Sequence, residues 1–290
     1  MNQNRREFLR NAAFGMGGLG ALLAGNRAWG GTVPPFGVCD WSIDGSLKPE
    51  ALATAKAIGL DGIEISAGTP RDVLEIADPA LQEKYKAAMA ETGLTICSVA
   101  MGLLNQAPLA TDPRGPAWLE QTIDGAKAVG AKTILMAFFG DGDLLDKNDK
   151  LKMDMVDAAA ARIKAAAPRA KDAGITLAVE NTLSGRDNLL LLEKIGDPSV
   201  RVYYDVGNST YHDYDVTAEI RELKDRICQI HFKDGKHYLG KGEVDLAACV
   251  KAIQDINYAG WIVLETSKPS GDIVADFKTN LAYSKKLFSA

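Results

Sequence analysis

The sequence predicts an α/β protein: a single (β/α)₈ or TIM barrel over residues 31–290, preceded by a cleavable export signal over residues 1–30. Short apolar segments that suit strands alternate strictly with segments of helical periodicity, and there are eight of each. Strands separated by helices pair in parallel through right-handed crossovers, and eight such units close a barrel. The alternative is a doubly wound open sheet, but Asp40–Gly45 lacks the glycine-rich phosphate turn expected after its first strand.

The strands and helices are predicted from apolar periodicity, and glycine follows the end of five helices. Pro168 lies inside the longest helix and is expected to kink or split it. The predicted strands are Phe36–Trp41, Asp61–Ser66, Leu94–Ala100, Thr133–Phe138, Ile175–Glu180, Val200–Asp205, Ile227–Lys233 and Trp261–Glu265. The predicted helices are Leu47–Ile58, Pro79–Thr92, Arg114–Val129, Lys150–Ala173, Asn188–Ile195, Thr217–Lys224, Leu246–Ile256 and Asp272–Phe288.

The first thirty residues are typical of a twin-arginine signal peptide. Asn4–Arg10 carries the paired arginines, Ala12–Gly25 is weakly apolar, and Ala28–Gly30 supplies small residues for cleavage. An amphipathic helix or a membrane anchor is the alternative, but the apolar run is too short to span a bilayer. We therefore expect a periplasmic or otherwise exported protein, with no stable membrane insertion after the signal is removed.

Charge and cysteine content exclude two classes of protein. The net charge is −5 and no block of Lys or Arg follows the first ten residues, which argues against nucleic acid as a partner. The four cysteines include no C-x-x-C pair, so we interpret them as buried thiols rather than a disulfide framework.

Four predicted strands carry, at or near their C-terminal end, a side chain that can bind a metal: Glu180, Asp205, His231 and Glu265, spaced 25, 26 and 34 residues apart. A strand, a loop and a helix take about 30 residues, so these side chains are expected to meet at the C-terminal mouth of the barrel. Single strand-end acids can also be helix N-caps or ion-pair partners, but four in register favour a metal site. Three carboxylates and one imidazole suit Mn²⁺, Mg²⁺ or Co²⁺, and Zn²⁺ less well.

Further polar or aromatic residues lie near the predicted mouth, and each could equally have a plain surface or core role. Glu64 ends the second strand, Asn208 follows Asp205 by three residues, and Lys233 follows His231 by two. The other candidates for contact with substrate are His212, His237 and Trp41.

The sequence around the strand-end residues resembles a known superfamily, the xylose-isomerase-like or sugar phosphate isomerase/epimerase proteins. Ala178–Asn181, Tyr204–Asn208, Ile230–Asp234 and Val263–Glu265 resemble its motifs, and Gly240–Asp245 resembles its glycine-rich segment. The resemblance covers about residues 33–288.

The resemblance implies that Glu180, Asp205, His231 and Glu265 bind one divalent metal, with Mn²⁺ favoured, and that Glu180 and Glu265 also form the acid/base pair. One position departs from the ketose 3-epimerases, which carry His where this chain has Asn208. Those epimerases also carry an Arg shortly after the metal-binding His, where this chain has Lys236 and then His237. These departures affect contacts to substrate oxygens.

A site of this kind supports proton abstraction next to a carbonyl through an enediolate. The predicted function is thus a divalent-metal-dependent sugar isomerase or epimerase. The alternative is a metal-dependent lyase or dehydratase that eliminates a β-substituent from a 3-keto-sugar or 3-keto-glycoside. The expected partner is a small-molecule sugar or keto-sugar, and the resemblance allows a homo-oligomer.

Two other classes are weaker alternatives. A non-catalytic sugar-binding barrel would keep the metal without working acid/base groups. An endonuclease-like relative of the fold would need a histidine-rich cluster of zinc ions, whereas this chain has three histidines and an acidic balance of charge.

Overall fold

Residues 33–289 are described by a computed structural model, in which eight parallel strands form one nearly closed barrel. The strand order is β1-β8-β7-β6-β5-β4-β3-β2, so each strand pairs with its neighbour in sequence and β1 pairs with β8. The strands are β1 Phe36–Val38, β2 Gly62–Ser66, β3 Thr95–Met101, β4 Thr133–Phe138, β5 Thr176–Asn181, β6 Arg201–Asp205, β7 Ile227–Phe232 and β8 Trp261–Leu264. This architecture confirms the predicted TIM barrel.

The barrel meets itself at a short seam between β1 and β2. There the N–H of Asp61 donates to the carbonyl oxygen of Phe36 over 2.9 Å, and Cys39 forms a single parallel bridge with Glu64. The seam therefore places Cys39 and Glu64 side by side inside the barrel.

Helices follow every strand and pack on the outside of the sheet. Capping side chains begin several of them; the Asp78 carboxylate, for example, accepts from the N–H of Ala80. The α-helices within residues 33–289 are α1 Ala51–Ile58, α2 Pro79–Thr92, α3 Gly115–Ala128, α4 Met153–Asp172, α5 Gly185–Ile195, α6 Val206–Tyr211, α7 Val216–Leu223, α8 Leu246–Asp255 and α9 Ile273–Phe288.

Three elements differ from those expected. Helix α4 runs unbroken through Pro168, so the expected split is wrong. Pro168 and Lys164 are both exposed, so the Lys164 carbonyl that loses its N–H partner can be hydrated. Helix α6 was expected to be a loop, and it begins directly at the end of β6 because Asp205 caps it. The short first strand also leaves Trp41 in a 3₁₀ turn, Asp40–Ile43.

Side chains of each strand divide between two apolar regions. Leu177 and Val179 of β5 belong to the large core shared with the helices, whereas Ala178 points into the barrel. Small interior residues, including Ala100 and Ala137, keep the upper part of the barrel open. The inward face of β5 thus leads from Ala178 to Glu180 at the mouth, as its alternation predicted.

The described residues include no helix that is long and apolar enough to cross a bilayer. The predicted export signal falls outside the part of the chain that the structure describes. All four cysteines are free thiols; Cys39, Cys97 and Cys249 are buried and Cys228 is partly exposed.

Candidate metal and active site

The four strand-end residues meet in one cluster at the C-terminal mouth. Their donor atoms all lie within 4.8 Å of one another. The Nδ1 atom of His231 lies 2.9 Å from Glu180 Oε1 and 3.8 Å from both Asp205 Oδ2 and Glu265 Oε2. The spacing predicted from sequence therefore does bring these four side chains together.

The two carboxylate oxygens of Asp205 have different roles in the fold. Its Oδ1 accepts from the backbone N–H groups of Gly207 and Asn208, at 2.7 and 3.0 Å, and so caps α6. Its Oδ2 is buried and accepts no hydrogen bond, although the Lys233 ammonium lies 2.9 Å away. A buried acceptor without a hydrogen bond is costly unless something else binds it.

The cluster fits a hard divalent cation. Bonds of about 2 Å from an ion to carboxylate oxygens put neighbouring donor atoms roughly 3–4 Å apart, which matches the distances around His231 Nδ1. The free Asp205 Oδ2 faces the same point. Glu180, Asp205, His231 and Glu265 are thus suited to hold one ion.

A second group of potential ligands lies on the far side of the same imidazole. His231 Nε2 is 2.9 Å from Glu64 Oε1 and 3.4 Å from Cys39 Sγ, and all three side chains are fully buried. This group is sealed from the cavity, whereas Glu180 and Glu265 line it. We therefore interpret the four-residue cluster as the metal site and Glu64 as a hydrogen-bond partner of its histidine.

Glu64 does not occupy the predicted substrate-binding position. Its side chain lies below the cavity because the register of β2 at the seam turns it toward His231. Its other oxygen accepts from the Ser98 hydroxyl at 2.5 Å, and Gln229 links Ser98 to Tyr203 through bonds of 2.9 and 3.1 Å. A carboxylate behind a metal-binding imidazole fixes the tautomer and orientation of the ring.

A cavity of about 640 Å³ opens above the cluster. Three of the predicted substrate-contact residues line it: Trp41, Asn208 and Lys233. The Trp41 indole N–H donates to Glu265 Oε1 at 3.0 Å, and Asn208 Nδ2 is a buried donor with no partner.

His212 and His237 are not among the residues that line the cavity. His212 stacks on Tyr214 with ring centroids 5.7 Å apart, and His237 is exposed in the loop after β7. These positions suit a plain surface role, which was the alternative to substrate contact for both histidines.

The two glutamates that line the cavity differ in proton affinity. Burial raises the pKa of Glu180 to about 7, which His231 only partly offsets. Burial also acts on Glu265, but Lys233 and His231 outweigh it and lower the pKa of Glu265 to about 2. Unequal pKa values of this kind separate the acid from the base in paired-carboxylate sites.

Lys233 neutralises part of the carboxylate charge. Its Nζ lies 2.9 Å from both Asp205 Oδ2 and Glu265 Oε2. Burial acts to lower the pKa of Lys233, but these two carboxylates outweigh it and raise that pKa above its ordinary value. Lys233 is therefore a charged ammonium at the floor of the cavity.

Much of the cavity wall was not predicted from the sequence. It comes from loops that follow β2, β3 and β4, which carry no charged motif and no strand-end ligand. The polar and aromatic members are Ser66 at the end of β2 and, in the loops, Thr69, Asn105, Gln106 and Phe139. Their position after barrel strands could have indicated that they line the site, because such loops form the active face of this fold.

The family follows from comparison of the whole chain with known proteins. The profile of the xylose isomerase-like TIM barrel family matches residues 52–287. The chain belongs to this family. The match includes all four residues of the metal cluster.

Individual relatives are sugar epimerases. The chain is 25% identical over 252 residues to an L-ribulose-5-phosphate 3-epimerase of Salmonella paratyphi A, covering 80% of this chain and 86% of that protein. Its fold resembles a solved L-ribulose 3-epimerase (TM-score 0.73, 23% identity, 88% and 95% coverage). It also resembles the 3-keto-D-glucoside 4-epimerase of E. coli (TM-score 0.73, 16% identity, 87% and 99% coverage).

Proposed function

We propose that the protein is a divalent-metal-dependent sugar isomerase or epimerase that removes a proton next to a carbonyl group and works through an enediolate. The observation that carries the proposal is that Glu180 and Glu265 belong to the metal cluster and also line the cavity. A sugar bound in the cavity would thus lie beside two carboxylates. The relatives named above, which are sugar epimerases, support the same reaction class.

Glu180, Asp205, His231 and Glu265 would hold the ion, and we propose Mn²⁺ ahead of Mg²⁺, Co²⁺ or Zn²⁺ because carboxylates dominate the donor set. The bound ion supplies a Lewis acid that stabilises negative charge on a substrate oxygen. The protein contributes the orientation of the donors, which the contacts of Asp205 and His231 fix.

Glu180 and Glu265 come from strands three apart and approach the cavity from two sides. A bound cation would lower the pKa of Glu180, so its carboxylate would act as the base that takes the proton. Return of a proton on the other face gives an epimer, and return on the neighbouring carbon gives the isomeric sugar. The free Nδ2 of Asn208 is placed to donate to a sugar oxygen.

We also propose that the protein is exported by the twin-arginine route and acts in the periplasm. The support for this is the paired arginines and small-residue cleavage site in residues 1–30. Export after folding would allow the metal to be loaded before the protein leaves the cytoplasm.

Proton NMR in heavy water tests the proposed reaction. The Mn²⁺-loaded protein is mixed in turn with free ketoses and with a 3-keto-glucoside. We expect deuterium to enter beside the carbonyl and a second sugar to appear. A vinylic signal with release of the aglycone would contradict the proposal and identify a lyase.

Substitutions of Glu180 and Glu265 test whether the cluster carries out the proton transfer. Glu180→Gln and Glu265→Gln should each lower the exchange rate by at least about 100-fold, the range expected when an acid/base group is lost. Glu219→Gln is the matched control, because Glu219 is buried but bonds to Tyr204 and Gly185 away from the site. If the wild-type protein binds a sugar but catalyses no exchange, the protein is a non-catalytic sugar-binding barrel and not an enzyme of this class.

A further inference from the structure

We infer that the substrate of this site is an uncharged sugar or glycoside rather than a sugar phosphate. The inference rests on the proposed function and names its substrate class. It comes from the distribution of charge and of backbone N–H donors around the cavity, whose described lining residues include no unpaired cation.

The charged groups lining the cavity are two carboxylates and one ammonium, those of Glu180, Glu265 and Lys233. The ammonium is 2.9 Å from Asp205 Oδ2 and from Glu265 Oε2, so its charge is already paired. With a divalent ion bound, three carboxylates balance the ion and the ammonium. The floor would then carry no net positive charge to offset a phosphate monoester, whose charge is about −1.5 to −2 at neutral pH.

Two arginines donate to residues that line the cavity, Arg71 to Thr69 and Arg114 to the Pro70 carbonyl, and both are paired. Arg71 donates to Thr69 and forms an ion pair with Glu75 at 2.9 Å. Arg114 forms an ion pair with Asp112 at 2.7 Å and its guanidinium stacks over Trp118. A phosphate at the rim would compete with these carboxylates for each guanidinium.

Helix N-termini are the usual phosphate sites of this fold, particularly after the seventh and eighth strands. Here each relevant terminus is capped by the chain's own carboxylate. Asp205 caps α6 through two N–H groups, Asp245 caps α8 at 3.0 Å, and Asp272 caps α9 at 3.0 Å. A phosphate would have to displace an aspartate to reach these N–H groups.

The N–H groups of the glycine-rich loop after β7, Gly240–Asp245, are likewise already bound by a side chain of the protein. A run of backbone N–H groups in such a loop forms a concave anion site. In this loop the buried Asp234 carboxylate accepts from the N–H groups of Gly240, Gly242 and Val244, at 3.0, 2.8 and 3.1 Å. The loop is therefore closed around an internal anion.

Neutral groups make up the rest of the polar wall, and they suit sugar hydroxyls. Asn208 offers a buried donor without a partner, and Trp41 and Phe139 provide aromatic faces. The other neutral polar residues are Ser46, Ser66, Thr69, Asn105 and Gln106. A cavity of about 640 Å³ has room for a neutral glycoside as well as a free monosaccharide.

Matched pairs of ligands test the inference. Binding is measured by calorimetry on the Mn²⁺-loaded protein with D-glucitol and D-glucitol 6-phosphate, which have no carbonyl and so cannot react. Turnover is measured by deuterium exchange with L-ribulose and L-ribulose 5-phosphate, and with D-fructose and D-fructose 6-phosphate. Inorganic phosphate is titrated alone to measure direct binding of an anion to the metal.

We expect the free polyol to bind at least 10-fold more tightly than its phosphate, and any exchange to be faster with the free sugar. Equal or stronger binding or faster exchange of the phosphorylated partner would overturn the inference, as would failure of both polyols to bind. If no sugar shows exchange but the free polyol binds more tightly than its phosphate, the proposed function is wrong and the inference about substrate class is supported. The two failures are therefore distinguishable.

Discussion

At the scale of single residues, the chemistry centres on the His231 ring, which lies between two groups of acids. Its Nδ1 faces the metal cluster and its Nε2 faces Glu64 at 2.9 Å. If Nδ1 binds a metal through its lone pair, the proton is on Nε2 and is donated to the Glu64 carboxylate. This arrangement makes His231 a better ligand and holds its ring in place.

Removal of the Glu64 charge should weaken metal binding. We expect Glu64→Gln to raise the Mn²⁺ dissociation constant by about 10-fold or more, within the 10–100-fold range typical of such partners. The measurement is a Mn²⁺ titration followed by electron paramagnetic resonance. Glu219→Gln, the change of another buried carboxylate, serves as the control and should leave Mn²⁺ affinity unchanged. Equal affinities for the wild type and Glu64→Gln would refute this role for Glu64.

The sequence predicted that these four side chains meet because each lies within one residue of the end of a strand, and parallel strands share one active end. It could not predict the role of Glu64. That contact joins residues 167 positions apart across the interior of the barrel and depends on the register at the seam. The free oxygen of Asp205 was also beyond prediction, because it depends on which oxygen caps α6.

At the scale of elements, α4 shows how tertiary context overrides a local signal. Pro168 lies four residues before the end of a 20-residue helix, on its exposed side. Buried Ile163, Ala167 and Ala170 anchor the opposite side on both sides of the proline. Packing of that face keeps the helix continuous despite the missing hydrogen bond.

Replacing the proline should stabilise the protein. We expect Pro168→Ala to raise the free energy of unfolding by about 2 kcal/mol, because alanine restores the N–H that donates to the Lys164 carbonyl. Alanine also makes the unfolded chain more flexible, which lowers stability, but this effect is smaller than the gain. The measurement is urea unfolding. The converse change Ala161→Pro, at an exposed position of the same helix, should cost about 3 kcal/mol. Unchanged or reduced stability of Pro168→Ala would contradict this explanation.

Helix α6 was missed because six residues carry too little periodicity to identify a helix. Its only sequence signal was Asp205, which the strand-end pattern had already assigned to the metal. In the structure Oδ1 of Asp205 caps α6, and Oδ2 faces the proposed metal site.

At the scale of the whole molecule, strict alternation of strands and helices was sufficient to predict the barrel and its strand order. The shape of the cavity was not predictable, because it depends on how loops after β2, β3 and β4 fold over the mouth. The acidic cluster also has a consequence for stability, since two buried carboxylates and one partly buried carboxylate gather around one imidazole and one ammonium.

A bound divalent ion should therefore stabilise the entire fold. At a free Mn²⁺ concentration about 100 times the dissociation constant, we expect the free energy of unfolding to rise by about 2.7 kcal/mol. A chelator should reverse the gain, and Asp205→Asn should remove most of it. Asp276→Asn is a control in a buried carboxylate that bonds to Ser270 and Tyr238 away from the cluster. No gain in the wild type would contradict a metal site built into the fold.

The proposed metal site is tested by anomalous diffraction at the manganese absorption edge from crystals of the Mn²⁺-loaded protein. We expect one anomalous peak about 2.0–2.3 Å from an oxygen of each of Glu180, Asp205 and Glu265 and from His231 Nδ1. A peak beside Cys39, Glu64 and His231 Nε2, or no ordered peak at either group, would contradict it.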